Sequence, residues 1–449
     1  MSATLAPVPT PGVEKSGLLI NRGFALLWAG QAVSNLGDWV YNTTLVLWIA
    51  TRLAHGQSWA PLAVSGLFVA RALPAVLVGP LAGVFVDRWD RRRVMLRADL
   101  LRALLVLSLV PLTGLVPLPF VAASRLSHTW QLGAVYAIVC LATAGAQFFG
   151  PARRALLGDI VPAPYQARAA GLQQVTTNLA FVVGPALATA LFFALGPGWA
   201  LAANALSFLI SFGAVRAIRV APAAGATTAT VEPNKPGGVL RELGAGLRFF
   251  AGERTLMALL VASVLFTFGG GAIDALDIFF VTGNLHAPAG YYGFLGAAQG
   301  IGAIGGALLG AAFAERIGLT GAFTLSLLLT GLGHVVYARM TGFWPAAVLL
   351  CVLGVPNAAF NVALGPLLLC VTPRELVGRV SAVLMPAVNL SLLSSGLLAG
   401  YLDSTALRGF HAVLLGMAWG PLDTIFAASG LLMVAGGLYA CATLKVDGR

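Results

Sequence analysis

Gly83-Val84-Phe85-Val86-Asp87-Arg88-Trp89-Asp90-Arg91-Arg92-Arg93 packs six charged side chains into eleven residues. Predominantly apolar blocks flank it, at 61–86 before and 95–117 after. A block of about 20 apolar residues is what it takes to cross about 30 Å of hydrocarbon. The stretch therefore reads as a short turn on one face of a membrane, pinned by its arginines between two crossings. Working outward, the same alternation of long apolar block and short polar turn runs through the chain. Spans are expected near 24–50, 61–86, 95–117, 131–152, 169–195, 198–215, 255–282, 289–313, 320–340, 343–370, 380–402 and 421–444.

Composition agrees with that reading. Of 449 residues, 58% are hydrophobic and only 10% charged, with a mean hydropathy of +0.88. Soluble domains are roughly a quarter charged, so a water-soluble enzyme of this size is excluded. The 54 glycines suit membrane helices, where small residues let backbones approach closely. A net charge of +11 would raise nucleic acid in a soluble protein. Here the orientation of membrane loops accounts for it, and no nucleic-acid partner is expected. Cys140, Cys351, Cys370 and Cys441 all fall in apolar stretches, as small packing residues do. The polar, Pro-containing segment Met1–Gly23 lacks the basic start and apolar core of a cleaved signal, so the first span is expected to be retained.

Orientation follows from the basic residues. With the N-terminus in the cytoplasm, the outer loops hold only Arg52, Arg125, Arg339 and Arg408, and Arg71 and Arg102 fall within spans. The other twenty-one of the 27 lie on the cytoplasmic side, as the positive-inside rule requires. Both termini are then cytoplasmic, in a bacterial inner membrane. The longest polar stretch, Arg219–Arg248, carries Ala221-Pro222, Thr227-Thr228 and Pro236-Gly237 and reads as a linker. The expected organisation is an N-terminal segment 1–23, a six-helix bundle 24–218, a linker 219–249, a second six-helix bundle 250–444 and a tail 445–449. The halves echo each other. Pro162, Arg168 and Asn178 match Pro373, Arg379 and Asn389 at one offset, and Asp87-Arg88 after the second span answers Glu315-Arg316 after the eighth. Repeated halves related by an axis along the membrane normal are a transporter architecture, with the substrate site at their interface.

The opening stretch also resembles the signature of the major facilitator superfamily: Gly, three residues, Asp-Arg, two residues, then two basic residues. It departs at Asp90, where Gly is usual, in the manner of the branch holding enterobactin exporters and macrolide-efflux proteins. Gly37-Asp38-Trp39, Asp99 with Arg102, and Phe149-Gly150-Pro151-Ala152-Arg153-Arg154-Ala155-Leu156-Leu157 resemble the same branch. The resemblance implies an all-α fold of twelve helices in two pseudo-symmetric six-helix bundles. It also implies a cavity lined by the first, fourth, seventh and tenth helices. Gly83, Asp87, Arg88, Arg91 and Arg92, with Asp99 and Arg102, would form a cytoplasmic gate. In it Asp87 would sit near the N-terminal end of the eleventh helix, where dipole and free N–H groups favour an anion. Gly184-Pro185 resembles the Gly-Pro motif of the superfamily's antiporters, with Ala180, Ala188 and Thr189 where Gly is typical.

Polar residues inside a span cost about 2.5–3.5 kcal/mol per charge, so each needs a reason. Gln31, Asn35, Asp38 and Asn42 step by four, three and four along one face of the first span. That stripe faces either a wet cavity or the bundle interior, where it would serve only interhelical hydrogen bonds. A carboxyl at Asp38 would take up and release a proton for an exporter, or else pair with Arg71 in the second span. Asp274 and Asp277, one turn apart after Gly269-Gly270-Gly271, are further proton-coupling candidates or a site for a cationic substrate. Alternatively they lie near the outer end and are merely wet. Asn357, Asn361, Gln147 and Arg71 complete the expected cavity lining.

Several patterns carry no chemistry. Gly300-Ile301-Gly302-Ala303-Ile304-Gly305 matches a dinucleotide fingerprint by letter but follows no strand. Gly302, Gly306 and Gly310 recur every four residues and make a packing face instead. No phosphate loop precedes a lysine, and the five histidines are scattered without metal-ligand spacing. No cofactor, metal or catalytic constellation is expected, and the protein is expected not to be an enzyme. The expected activity is proton-coupled export of a small amphipathic molecule (a drug, macrolide or siderophore) by a monomer in the lipid bilayer. A lysophospholipid flippase of the same fold is the alternative, and a non-transporting scaffold or a membrane enzyme a distant third.

Overall fold

A computed structural model describes residues 19–86, 88–115, 127–218, 250, 252–373, 376–414 and 416–444. Twelve helices carry it: α1 Arg22–Trp48, α2 Ala60–Leu77, α3 Gly79–Val86, α4 Arg91–Leu107, α5 His128–Ile160, α6 Gln166–Leu195, α7 Pro197–Ala217, α8 Arg254–Gly283, α9 Tyr292–Tyr337, α10 Phe343–Val371, α11 Val377–Tyr401 and α12 Pro421–Thr443. Among the described residues, nine helical segments are long and apolar enough to cross a membrane. The expected linker 219–249, the tail 445–449 and most of the N-terminal segment lie outside the described residues.

Local chemistry starts the helices. The Asn21 side chain accepts from the Phe24 N–H at 2.8 Å and caps α1, and Ser127 does the same for α5 through Trp130. Asp90 accepts from the Arg93 N–H at 2.8 Å. The residue that departs from the superfamily signature thus serves as the N-cap of α4. Asp423 receives the Gly420 N–H at 2.8 Å at the start of α12. Interior prolines (Pro74, Pro151, Pro185, Pro356, Pro366 and Pro386) are accommodated within long helices, as membrane helices permit.

Three elements differ from the sequence expectation. The expected second span is two helices, α2 and α3, with Pro74 one turn before the joint at Val78. The third begins at Arg91, so Arg91, Arg92, Arg93 and Arg97 ride on the first turns of α4 rather than in a loop. The eighth and ninth spans are joined within α9 by the single residue Gly318, at φ 76° and ψ 158°, a conformation that L side chains avoid. Between α11 and α12 a small hairpin also appears, β1 Ala412–Leu414 against antiparallel β2 Met417–Trp419. No strand was expected there.

Successive helices run up and down, so the molecule has two faces. The upper face holds the turns at 53–60, 283–292 and 401–421, and the lower face those at 86–91, 160–166 and 371–377. The N- and C-terminal halves meet chiefly along α2 with α11 and α6 with α9, with a smaller contact of α2 on α8. Glycines make the approach close. A Cβ on Gly293 would collide with the Pro185 carbonyl and Thr189 Oγ1, and one on Gly400 with Ser65. The Leu62 N–H donates across the seam to Ser404 Oγ at 3.1 Å, near the upper face. Apolar clusters that mix both halves also lie towards that face, where Ile278 joins Leu45, Val46 and Phe192. Towards the lower face the clusters are one-sided. Met95, Phe149 and Val215 belong to one half, and Phe250, Leu368 and Val380 to the other.

Candidate functional site

A cavity of about 500 Å³ lies at the seam. From the N-terminal half, α1 supplies Trp39 and Asn42, α2 supplies Phe68 and Arg71, and α6 supplies Phe181 and Pro185. From the other half come Phe266, Asp274 and Asp277 on α8, Tyr292 and His334 on α9, and Asn357, Phe360 and Asn361 on α10. Its walls are apolar and aromatic with a few convergent polar groups, the general character of a small-molecule site.

The charged members differ in their partners. Asp277 accepts a hydrogen bond from the Tyr337 hydroxyl at 2.7 Å. Asp274 is exposed, and the space it faces is the cavity. Both acids therefore line the seam, rather than sitting wet at an outer end. Arg71 Nε and Nη2 are shielded from solvent and have no hydrogen-bond partner. His334 Nδ1 pairs with the Thr330 carbonyl of its own helix at 2.8 Å, a bundle hydrogen bond, while its ring reaches the cavity. Asn361 Nδ2 donates to the Asn357 carbonyl at 3.0 Å, so these two asparagines form one polar step on α10.

The stripe on α1 divides. Only Asn42 reaches the cavity; neither Asn35, Gln31 nor Asp38 lines it. Asp38 pairs with Arg102 on α4, whose Nη2 lies 2.8 Å and 3.0 Å from its two oxygens. The alternative partner expected from sequence, Arg71, is not the one Asp38 meets. The Arg102 guanidinium also sits 3.9 Å from the Phe208 ring centroid, a cation–π contact. Deeper in the same half runs a chain of polar groups. Arg153 donates to Gln31 at 3.2 Å, Gln31 to Ser211 at 3.0 Å, and Ser211 to the buried Asp99 at 2.7 Å. Asp99 and Arg102, expected at the cytoplasmic gate, are thus held inside the bundle by α1 and α7. Gln147 is also displaced from the expected lining. Its amide turns to the Thr143 carbonyl of its own helix at 3.4 Å.

At the lower face, Asp87 lies outside the described residues. Its neighbours engage their own half. Arg91 Nη1 meets both oxygens of Asp159 at 2.6 Å, and Arg92 donates to the Val215 and Arg216 carbonyls at the end of α7. Arg88 is exposed, and open space surrounds the Cβ position of Gly83. Arg92 therefore meets backbone carbonyls at the end of α7 rather than an acid.

Packing glycines occupy the other interfaces. A Cβ on Gly302 or Gly306 would strike the Cys351 or Val355 carbonyl of α10, and one on Gly354 the Gln299 carbonyl of α9. Gly184 lies against Trp39, next to Pro185 at the cavity wall. Gly310 continues the same helix. All four cysteines are free, with Cys370 and Cys441 on exposed surface. Among the described residues no group of His, Cys, Asp and Glu has the geometry of a metal site.

Sequence reasoning missed Tyr292, Tyr337, Ser211 and Arg153. Tyrosine and serine are unremarkable in a span, and Arg153 was counted with the surface arginines. Its position two residues after Pro151, inside a 33-residue helix, was the available signal.

Comparison with known proteins places these features. Curated relatives include the MFS-type transporter YkuC of Bacillus subtilis, 25% identical over 82% of each chain. Macrolide efflux protein A of Streptococcus pyogenes is 26% identical over 56% of this chain and 57% of its own. Among solved structures, the nucleoside transporter NupG superposes with a TM-score of 0.72 at 12% identity, covering 95% of this chain and all of NupG. A bacterial homologue of the iron transporter ferroportin, in its inward-facing state, gives 0.68 at 14% identity, covering 95% of this chain and 99% of its own. Such identities carry the fold alone. The family model described as transmembrane secretion effector (MFS_3) matches residues 17–440, and the chain therefore belongs to that family of major facilitator transporters.

Proposed function

We propose that this transporter exports a small amphipathic molecule from the cytoplasm of a bacterium in exchange for protons, by alternating access. The observation that carries the reading is the cavity at the seam, where aromatic walls meet two carboxylates and an arginine. The excess of basic residues on one side of the expected spans supports a lower face in the cytoplasm. The halves touch near the upper face, which supports reading the cavity as open towards the lower, inward side. The macrolide-efflux relative supports export, as does a putative exporter of bacilysin in Bacillus subtilis, 29% identical over 40% of this chain.

Protons would enter through Asp38, Asp274 and Asp277. Protonating Asp38 removes the charge that holds Arg102, leaving the guanidinium with Phe208 alone and loosening the tie between α1 and α4. Protonation of the α8 carboxylates changes the charge of the cavity wall itself. Gly83, Asp87, Arg88, Arg91 and Arg92 would act as a latch on the cytoplasmic side, formed when the lower ends of the bundles approach. Tight glycine packing between α9 and α10, and of Gly184 on Trp39, would let helices move as rigid groups.

The test is flux in proteoliposomes under an imposed proton gradient, with a panel of fluorescent drugs and macrolides. Wild type accumulates at least one member against its gradient, whereas Asp38→Asn folds but loses gradient-driven accumulation. Full transport by Asp38→Asn would remove that residue from coupling, and an absence of gradient-driven flux across the panel would remove proton-coupled export.

A further inference from the structure

The cavity carries opposite charges on opposite walls. Arg71 belongs to α2 of the N-terminal half, and Asp274 and Asp277 to α8 of the other half. They do not pair. The ion pairs among the described residues are Arg91–Asp159, Arg93–Asp90, Arg102–Asp38 and Arg339–Asp423. Two nitrogens of Arg71 have no partner, Asp274 is open to the cavity, and Asp277 holds only the Tyr337 hydroxyl. Tyr292 lines the same cavity as Arg71 and both carboxylates.

A guanidinium without a partner in an apolar site is costly, and so is an open carboxylate beside aromatic rings. A ligand bearing one charge would neutralise one wall and leave the other uncompensated. A ligand bearing both satisfies each wall at once. The planar fork of arginine matches an oxyanion, and a carboxylate matches an ammonium. Trp39, Phe181, Phe266 and Phe360 supply surface for an apolar body.

We infer that the molecule carried is a zwitterion with an apolar body, its carboxylate held by Arg71 and its ammonium by Asp274 with Asp277 beside it. The inference rests on reading the seam cavity as the transport site. A single carboxylate that binds an ammonium in one half of the cycle and a proton in the other is also a direct device for exchange.

Four probes separate the charges: Nε-dansyl-lysine, its methyl ester, its Nα-acetyl derivative, and the Nα-acetyl methyl ester. They share one fluorescent apolar body and carry both charges, the cation, the anion or neither. Binding is read from dansyl fluorescence with the full chain in detergent micelles. Wild type should bind the zwitterion about tenfold more tightly than either singly charged form, the loss expected for one charge-assisted contact. Arg71→Gln should bring the zwitterion down to the ester and leave the ester unchanged. Asp274→Asn should bring it down to the acetylated acid, and Arg71→Lys should keep part of the preference. Equal binding of all four forms, binding of none, or equal weakening of every form by Arg71→Gln would overturn the assignment. Gradient-driven flux of the ester without preference for the zwitterion would sink the substrate class and spare the exporter. A zwitterion preference in micelles without flux in vesicles would do the reverse.

Discussion

Breaking the Asp38–Arg102 pair gives the most informative single perturbation. The Arg102 side chain is 11% exposed and that of Asp38 34%. One nitrogen serves both carboxylate oxygens, at 2.8 Å and 3.0 Å, with Phe208 beneath the guanidinium at 3.9 Å. Rupture of a fully buried pair costs about 3–5 kcal/mol, because it strands a charge; the partial exposure of Asp38 brings this to about 2 kcal/mol. Arg102→Met strands a carboxylate and loses the stacking. Asp38→Asn strands a guanidinium that Phe208 still contacts, so its loss should be the smaller. In the double variant neither charge remains. Unfolding in mixed dodecyl maltoside and SDS micelles should therefore show the double variant more stable than the sum of the single losses predicts, by about 1–2 kcal/mol. Strictly additive losses would show that the two side chains do not act as a pair, and the release step proposed for Asp38 would go with it.

Three further outcomes are expected. Gly302→Val places branched carbons on the Cys351 carbonyl and should destabilise the α9–α10 pair by about 1–3 kcal/mol, visible as a lower midpoint in the same assay, while a substitution at Gly305, which faces open space, should be nearly silent. Asp423→Ala removes the acceptor for Asn284 at 2.7 Å and for the Gly420 N–H and leaves Arg339 without its acid, so a loss of about 1–3 kcal/mol is expected, with faster hydrogen exchange at the start of α12. Asp87→Asn should slow turnover by weakening the proposed latch; unchanged labelling of cysteines placed on the two faces would argue against a gate there.

The long apolar blocks made the helices legible, since a backbone in lipid must satisfy its own hydrogen bonds and has few alternatives. Legibility ended where tertiary contact decides. The break at Val78 that splits the second span was not read, although Pro74 one turn before it was the available signal. Gly318 fell between the spans expected at 289–313 and 320–340, and composition cannot tell a loop there from one residue at positive φ. At the site, spacing placed Gln31, Asp38 and Asn42 on one face of α1. It could not say that depth along the helix divides them, with Asn42 meeting the cavity and Gln31 meeting Ser211. Partner choice was the least legible part. Arg71 and Arg102 are both arginines within spans, and only the tertiary placement of α4 beside α7 shows which one reaches Asp38.

The glycines along the seam have a mechanical consequence. With Gly293 seated on the Pro185 carbonyl and Gly400 on Ser65, the two halves touch near the upper face almost backbone to backbone. Contact that close resists sliding but allows tilting, so the seam behaves as a fulcrum with the bundles as its arms. Across a hydrocarbon thickness of about 30 Å, a tilt of about 10° about that line displaces the far ends by about 5 Å, roughly the width of a peptide chain. A bulky side chain at Gly293 would act as a wedge under the fulcrum and shorten that stroke without touching any charged group.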